Sequence, residues 1–146
     1  MELNSRKMKK SKPISEIMTK KVITLSTKDN LETAEYLFKK NKIRHIPVVK
    51  NNKIIGMLSY TDLLRISFAD AVYDDEETID TVVYNMFTIE QVMVKNITSV
   101  NSKATVKEVA EILTSKEFHA LPVVDNNKLV GIVTTTDLIK YMLEQL

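Results

Sequence analysis

Residues 56–63, Gly-Met-Leu-Ser-Tyr-Thr-Asp-Leu, return later in the chain as residues 131–138, Gly-Ile-Val-Thr-Thr-Thr-Asp-Leu. The two stretches hold the only glycines of the chain, Gly56 and Gly131, and Pro47 and Pro122 recur at the same offset. Self-similarity of such residues at one fixed offset indicates an internal duplication. The match runs without gaps between residues 14–64 and residues 89–139, so it covers most of the chain.

Each repeat has the same pattern of predicted elements. A short helical turn (14–18, 89–93) precedes an extended run (22–25, 97–100). Apolar residues at helical spacing then predict an amphipathic helix, with Leu31, Ala34, Leu37 and Phe38 in one repeat and Val106, Val109, Ala110 and Leu113 in the other. Paired asparagines (51–52, 126–127) predict tight turns between strands 46–49 and 54–58, and between 121–124 and 129–133. A last helix begins at Thr61-Asp62 or Thr136-Asp137, with Thr or Asp as its cap.

The order β-α-β-β-α, present twice, predicts an α/β (α+β) fold. A unit of about fifty residues is marginal alone, so we expect the two repeats to pack sheet to sheet with pseudo-two-fold symmetry. The predicted organisation is a basic, flexible N-terminus (1–12), a first repeat (13–68), an acidic linker (69–88) and a second repeat (89–146). The linker assignment rests on seven acidic residues and no Lys or Arg between residues 69 and 90.

Composition excludes several classes of protein. The net charge is +2, but residues 1–12 hold five basic residues and one acid, which leaves 16 basic and 18 acidic residues in the rest of the chain. A nucleic-acid-binding domain is normally basic in its body, so we expect no nucleic-acid partner. No apolar run is long enough to cross a membrane, and there is no cysteine for disulfides. We therefore expect an intracellular, cytoplasmic protein without a membrane partner.

The repeated Gly-to-Asp stretch has the chemistry of a phosphate and ribose site. It lies where a strand ends and a helix begins, and unpaired N–H groups at a helix N-terminus favour a phosphate. The hydroxyls of Thr134 and Thr136 can donate to phosphate oxygens, and the carboxylate of Asp137 suits ribose hydroxyls. Ser59, Thr61 and Asp62 repeat the arrangement. The alternative is a plain helix cap, for which Ser, Thr and Asp are the common residues.

The opening Ile14-Ser15-Glu16-Ile17-Met18-Thr19, the Ile-Pro-Val-Val and Leu-Pro-Val-Val strands and the two Gly-to-Asp segments together resemble a tandem pair of CBS domains, also called a Bateman module. The resemblance covers nearly the whole chain. It implies a sensor or regulatory module that binds adenine nucleotides or related adenosyl ligands in the cleft between the repeats.

The resemblance also implies two crosswise sites. Each takes its ribose-phosphate motif from one repeat and its adenine-contacting strand and pre-proline residues from the other. Site A then comprises Thr24, Ile43, Arg44, His45 and Pro47 with Thr134, Thr136 and Asp137. Site B comprises Ser99, Phe118, His119, Ala120 and Pro122 with Ser59, Thr61 and Asp62.

The basic residues differ between the two sites. Arg44 and His45 precede the proline in site A, whereas His119 and Ala120 do so in site B. Since arginine is the better bidentate phosphate clamp, we expect site A to bind phosphate-bearing ligands more tightly. The alternatives are a solvated surface charge for Arg44 and a hydrogen-bonded, partly buried imidazole for each histidine. Two histidines without acids at ligand spacing give no metal site.

The sequence therefore predicts a stand-alone regulatory module whose ligand is AMP, ADP or ATP. We expect no catalytic residue and no enzymatic activity, because no general base or metal set accompanies the aspartates and their neighbouring hydroxyls. A slow nucleotide hydrolase is the alternative of the enzyme class. We also expect a homodimer that acts on an effector protein not identified by the sequence. The alternatives are a dimerisation or scaffold module with empty pockets, and a sensor of S-adenosylmethionine or NAD.

Overall fold

Each repeat contributes one two-stranded antiparallel hairpin to the computed structural model, which describes residues 12–69, 84–116 and 118–146. The described residues fall into two compact units, one of residues up to Val22 and from Thr98 onwards, the other Ile23–Ile97. The units do not coincide with the repeats, because each includes the opening segment of the other repeat. The predicted basic N-terminus, up to residue 11, and most of the predicted acidic linker, residues 70–83, lie outside the described residues.

The unit Ile23–Ile97 holds the body of the first repeat. Helix α1 spans Leu31–Asn41, strands β1 and β2 span His45–Lys50 and Lys53–Ser59, helix α2 spans Tyr60–Ala69, and helix α3 spans Ile89–Val92. The apolar face of α1 packs on the hairpin, and its core contains Leu31, Phe38, Ile46, Leu58 and Ile89. The amphipathic pattern of α1 therefore predicted its buried face correctly.

The other unit holds the body of the second repeat. Helix α4 spans Val106–Ser115, strands β3 and β4 span Ala120–Asp125 and Lys128–Thr134, and helix α5 spans Thr135–Gln145. A 3-10 turn at Ile14–Glu16 completes the unit, and the fully buried Ile14 joins a core with Val109, Leu121 and Val133.

Asparagine pairs make both hairpin turns, as predicted. Asn51 and Asn52 have φ of 52° and 65°, and Asn126 and Asn127 have φ of 51° and 65°. Asparagine adopts this left-handed backbone more readily than most residues, and two such residues in succession form the turn that matches the twist of a hairpin.

The opening segments are fixed to the hairpins by close approach at glycine. A Cβ on Gly56 would overlap Met93 Sδ, and one on Gly131 would lie 2.5 Å from Met18 Sδ. Backbone bonds add to this packing: Thr19 exchanges hydrogen bonds with Ile132 (2.8 and 3.0 Å). Met18 and Met93 are therefore packing residues, a role that suits the flexible thioether side chain.

Two details differ from the sequence predictions. The extended runs before α1 and α4 form single parallel bridges, Leu25 to Val48 and Val100 to Val123, rather than full strands. Each run is short, and Pro47 and Pro122 have no N–H to extend the pairing. The last helix of each repeat is capped earlier than predicted, by Ser59 and Thr134, because these hydroxyls reach the N–H groups of the aspartates.

Candidate ligand-binding site

The second-repeat motif forms a capping box at the start of α5. Thr134 Oγ1 accepts a hydrogen bond from Asp137 N at 3.1 Å, and Asp137 Oδ2 accepts one from Thr134 N at 2.9 Å. Thr19 Oγ1 lies 3.5 Å from the other carboxylate oxygen, Asp137 Oδ1. The helix-cap interpretation is thus correct for this segment. These bonds leave Asp137 with further hydrogen-bond acceptor positions, because a carboxylate has about four of them.

The first-repeat motif is capped on one side only. Ser59 Oγ accepts a hydrogen bond from Asp62 N at 3.0 Å, as its counterpart does. Asp62 Oδ1, however, accepts a hydrogen bond from Arg65 Nη1 at 3.1 Å. Arg65 was missed by the sequence analysis, although an Asp and an Arg three residues apart on a helix are expected to meet.

The remaining hydroxyls of the motifs face solvent. Thr61 and Thr136 are exposed in the first turn of α2 and of α5, whereas the aspartates next to them are half-buried. An exposed hydroxyl beside the unpaired N–H groups of a helix start is available to an anion.

The pre-proline residues lie beside the motif of their own repeat. His45 pairs with Ser59 across the first hairpin, and Ala120 pairs with Thr134 across the second. The carbonyl of Arg44 accepts a hydrogen bond from Tyr60 N at 2.8 Å, and the carbonyl of His119 accepts one from Thr135 N at 3.0 Å. Each unit thus brings together the pre-proline residues of one predicted site and the motif of the other. The crosswise pairing of sites A and B stays a prediction.

Of the other predicted contact residues, the polar ones are exposed and the apolar ones are buried or half-buried. Thr24 and Ser99 are exposed, one residue before the buried Leu25 and Val100. Ile43 and Phe118 are half-buried and pack on the cores of their units, and Pro47 and Pro122 are buried. Arg44 and His119 are exposed.

Among the residues that the structure describes, no group of three or more His, Cys, Asp or Glu side chains is placed to hold a metal ion. No helix in the described ranges is long and apolar enough to cross a membrane.

Comparison with known proteins identifies the family. The CBS domain family model matches residues 14–69 and 89–144, one match for each repeat. An uncharacterized protein of Methanocaldococcus jannaschii, MJ1225, is 26% identical over 136 residues, which are 92% of this chain and 49% of that protein. The chain therefore spans about half of that relative. The CBS domain-containing protein YhcV of Bacillus subtilis is 28% identical, over 86% of this chain and 81% of YhcV.

Solved structures share the fold. A putative acetoin utilization protein, AcuB, from Vibrio cholerae superimposes with a TM-score of 0.76 at 28% identity, over 91% of each chain. The CBS domain pair of protein MJ0100, in complex with 5′-methylthioadenosine and S-adenosyl-L-methionine, has a TM-score of 0.76 at 24% identity, over 92% of this chain and 98% of that one. CBSX2 in complex with AMP has a TM-score of 0.75 at 21% identity, over 92% and 98%. At these identities the last two show the fold alone.

Proposed function

The chain belongs to the CBS domain family, and from that premise we propose that it is a regulatory module that binds an adenine nucleotide. The proposal rests on the position and exposure of the polar side chains in the two motifs. Each places an exposed threonine and a half-buried aspartate at the start of a helix, where unpaired N–H groups point outwards. That combination offers donors to a phosphate and acceptors to ribose hydroxyls.

The ligand class is supported by the neighbours. One structure of the same fold holds AMP, and another holds 5′-methylthioadenosine and S-adenosyl-L-methionine, so their common chemistry is the adenosyl group. We propose AMP, ADP or ATP for this chain because Arg44, which belongs to predicted site A, is exposed. A guanidinium is matched to the phosphate of these nucleotides, whereas S-adenosylmethionine offers it only the carboxylate of its methionine part and adds a cationic sulfonium.

We propose regulation rather than catalysis. The aspartates of the motifs have structural partners: Asp137 completes a helix cap and lies near Thr19, and Asp62 pairs with Arg65. Relatives named as enzymes are matched over a minor part of their length: the chain covers 24% of the inosine-5′-monophosphate dehydrogenase of Thermoplasma acidophilum. Ligand binding would act on an effector protein by shifting the chain between conformations of different ligand affinity. A cytoplasmic location stays a prediction from composition.

A thermal-shift panel of AMP, ADP, ATP, NAD and S-adenosylmethionine tests the proposal. A ligand at one hundred times its dissociation constant adds about 2.7 kcal/mol to the free energy of unfolding. We expect the adenine nucleotides to raise the melting temperature and inosine monophosphate, the matched control with the base changed, to raise it less. If no member of the panel raises it, the nucleotide-sensor function is wrong and the scaffold alternative takes its place.

A homodimer is the second proposal, and α5 is the observation that favours it. Ile139, Met142 and Leu143 are 51%, 53% and 62% exposed and occupy one helical stripe. We expect light scattering to give twice the monomer mass of 16.7 kDa. Replacing Ile139 and Leu143 by lysine should give the monomer mass, whereas Tyr36→Lys, at an exposed aromatic on α1, should not. A monomer at tens of micromolar wild-type protein would refute the dimer.

A further inference from the structure

An open groove of about 420 Å³ lies within the unit Ile23–Ile97, beside the carboxylate of Asp62. Apolar side chains of Ile66, Phe87 and Val94 line it together with the polar Arg65 and Gln91. Phe87 and Val94 are 39% and 50% exposed, so part of their apolar surface faces the groove. Small-molecule pockets span roughly 300–1,000 Å³, so the groove has room for part of a nucleotide.

Arg65 lies at the polar end of this groove and its charge is available. Its Nη1 donates to Asp62 Oδ1 at 3.1 Å, and its side chain is 74% exposed. An exposed ion pair of this kind contributes little to stability, so the contact with Asp62 can lengthen at little cost when an anion binds. Arginine carries five N–H donors in one plane, which allows it to contact Asp62 and an anion together.

The second repeat has different residues at the positions that line this groove. When the offset of the repeat is continued to both ends, Lys12 corresponds to Phe87, and Tyr141 corresponds to Ile66. Lys12 Nζ lies 5.6 Å from the centroid of the Tyr141 ring and 3.9 Å from Glu16 Oε1, so the lysine covers this ring. In place of the groove-lining Phe87 and Ile66, the second repeat thus has a lysine packed on a buried tyrosine.

We propose that Arg65 contacts the phosphate of the ligand whose ribose Asp62 holds. This inference rests on the proposed function, since it takes Asp62 as a ligand-binding carboxylate. The ligand class is a nucleoside that carries a phosphate.

This role of Arg65 reduces the expected difference in AMP affinity between sites A and B. The pre-proline residues provide site A with a cation in Arg44 and site B with His119 alone. Arg65 supplies site B with a positive charge of its own. The two sites should therefore bind AMP with more similar affinity than the pre-proline residues alone predict.

Calorimetry with AMP and adenosine on the full chain tests this role. The variants are Arg65→Gln, Arg65→Lys and, as the matched control at the equivalent position of the second repeat, Lys140→Gln. They are made in the Asp137→Ala background, where Asp62 is the remaining motif carboxylate, and again in the wild-type background in case the first does not fold. We expect Arg65→Gln to weaken AMP about tenfold, the loss of one charge-assisted contact, and to leave adenosine unchanged. Arg65→Lys should restore part of the AMP affinity, and Lys140→Gln should have no effect on it.

The outcomes separate the two proposals. If wild-type protein binds AMP and adenosine but Arg65→Gln weakens both equally or neither, the role of Arg65 is refuted and the nucleotide-sensor function stands. If the wild-type protein binds neither ligand, both proposals are refuted.

Discussion

The side chain of Asp137 completes a helix cap and is also the proposed acceptor for the ribose hydroxyls. We predict that Asp137→Ala weakens AMP binding while the protein stays folded. Loss of a hydrogen bond to a charged group costs roughly 1.5–3 kcal/mol, so calorimetry should show a weaker site by about that amount.

The cap requires its own control. Asp137→Asn keeps an oxygen that can accept the Thr134 N–H bond and removes the charge, so its melting temperature should stay close to the wild-type value. Unchanged AMP affinity in both folded variants would refute the ribose role of Asp137.

The side chains that pack against Gly56 and Gly131 differ in how far they can move. Neither has a positive φ, so the constraint on each is steric. The Cβ of an alanine at residue 56 would meet Met93, which is 7% exposed, whereas an alanine at residue 131 would meet the half-buried Met18. Overpacking a buried site costs typically about 1–3 kcal/mol, so a loss of that size is expected for Gly56→Ala and a smaller one for Gly131→Ala.

Urea unfolding measures both losses at the transition midpoint. Pairing Gly56→Ala with Met93→Ala gives a double-mutant cycle, in which the coupling energy should be favourable because the shorter side chain leaves room. A Gly131→Ala loss equal to or above that of Gly56→Ala would contradict the steric argument.

At the scale of elements, one carboxylate joins the end of β3 to the loop before α4. Ser102 donates to Asp125 twice, from its hydroxyl at 2.5 Å and from its backbone N at 3.0 Å. These two bonds hold the pKa of the Asp125 carboxyl below its ordinary value, and the charge of Lys103 adds to the effect. The first repeat has Thr27 and Lys50 at these positions, so it lacks this link.

A lowered folded-state pKa gives the link a definite pH dependence. The carboxylate form is favoured by folding, so the contribution is present above the unfolded-state pKa and is lost as pH falls through the folded-state pKa. We predict that Ser102→Ala lowers the urea midpoint at pH 7 and that the difference from wild type shrinks towards pH 3. Thr27→Ala, the matched control, should show no such convergence. A Ser102→Ala deficit that is constant with pH would show that the ionised Asp125 is not its source.

Elements set by local sequence were predictable, and contacts between distant segments were not. The asparagine turns and the faces of α1 and α4 follow from backbone preference and periodicity within a few residues. The unit that each opening segment joins depends on the packing of Met18 on Gly131 and of Met93 on Gly56. No local sequence pattern predicts this packing. The repeat did hold a signal, since both methionines and both glycines recur at the same offset.

The candidate site was also predictable in part. The motif hydroxyls and aspartates were predicted from their chemistry at a strand–helix junction, and the structure places them there. Arg65 was missed although its spacing of three residues from Asp62 on α2 is the one expected for an ion pair.

At the scale of the whole molecule, the exchanged opening segments make each compact unit depend on both halves of the chain. Ile14 is fully buried in the unit that holds the second repeat, and Ile89 is fully buried in the unit that holds the first. We predict that a chain cleaved at a protease site inserted between Glu76 and Glu77 stays associated. Each fragment then retains its opening segment in a core made mainly by the other, and burial of one isoleucine contributes roughly 1.5–3 kcal/mol.

Size-exclusion chromatography of the cleaved protein, followed by mass spectrometry of the peak, measures this association. Both fragments should co-elute in native buffer and separate in urea. Ile14→Asp combined with Ile89→Asp should separate them without denaturant, because each change places a charge in a buried apolar site. Exposed Glu16→Ala and Glu90→Ala, beside the same turns, should leave them together. Fragments that separate in native buffer at micromolar concentration would mean that the opening segments do not hold the two halves together, and that the repeats fold as independent units.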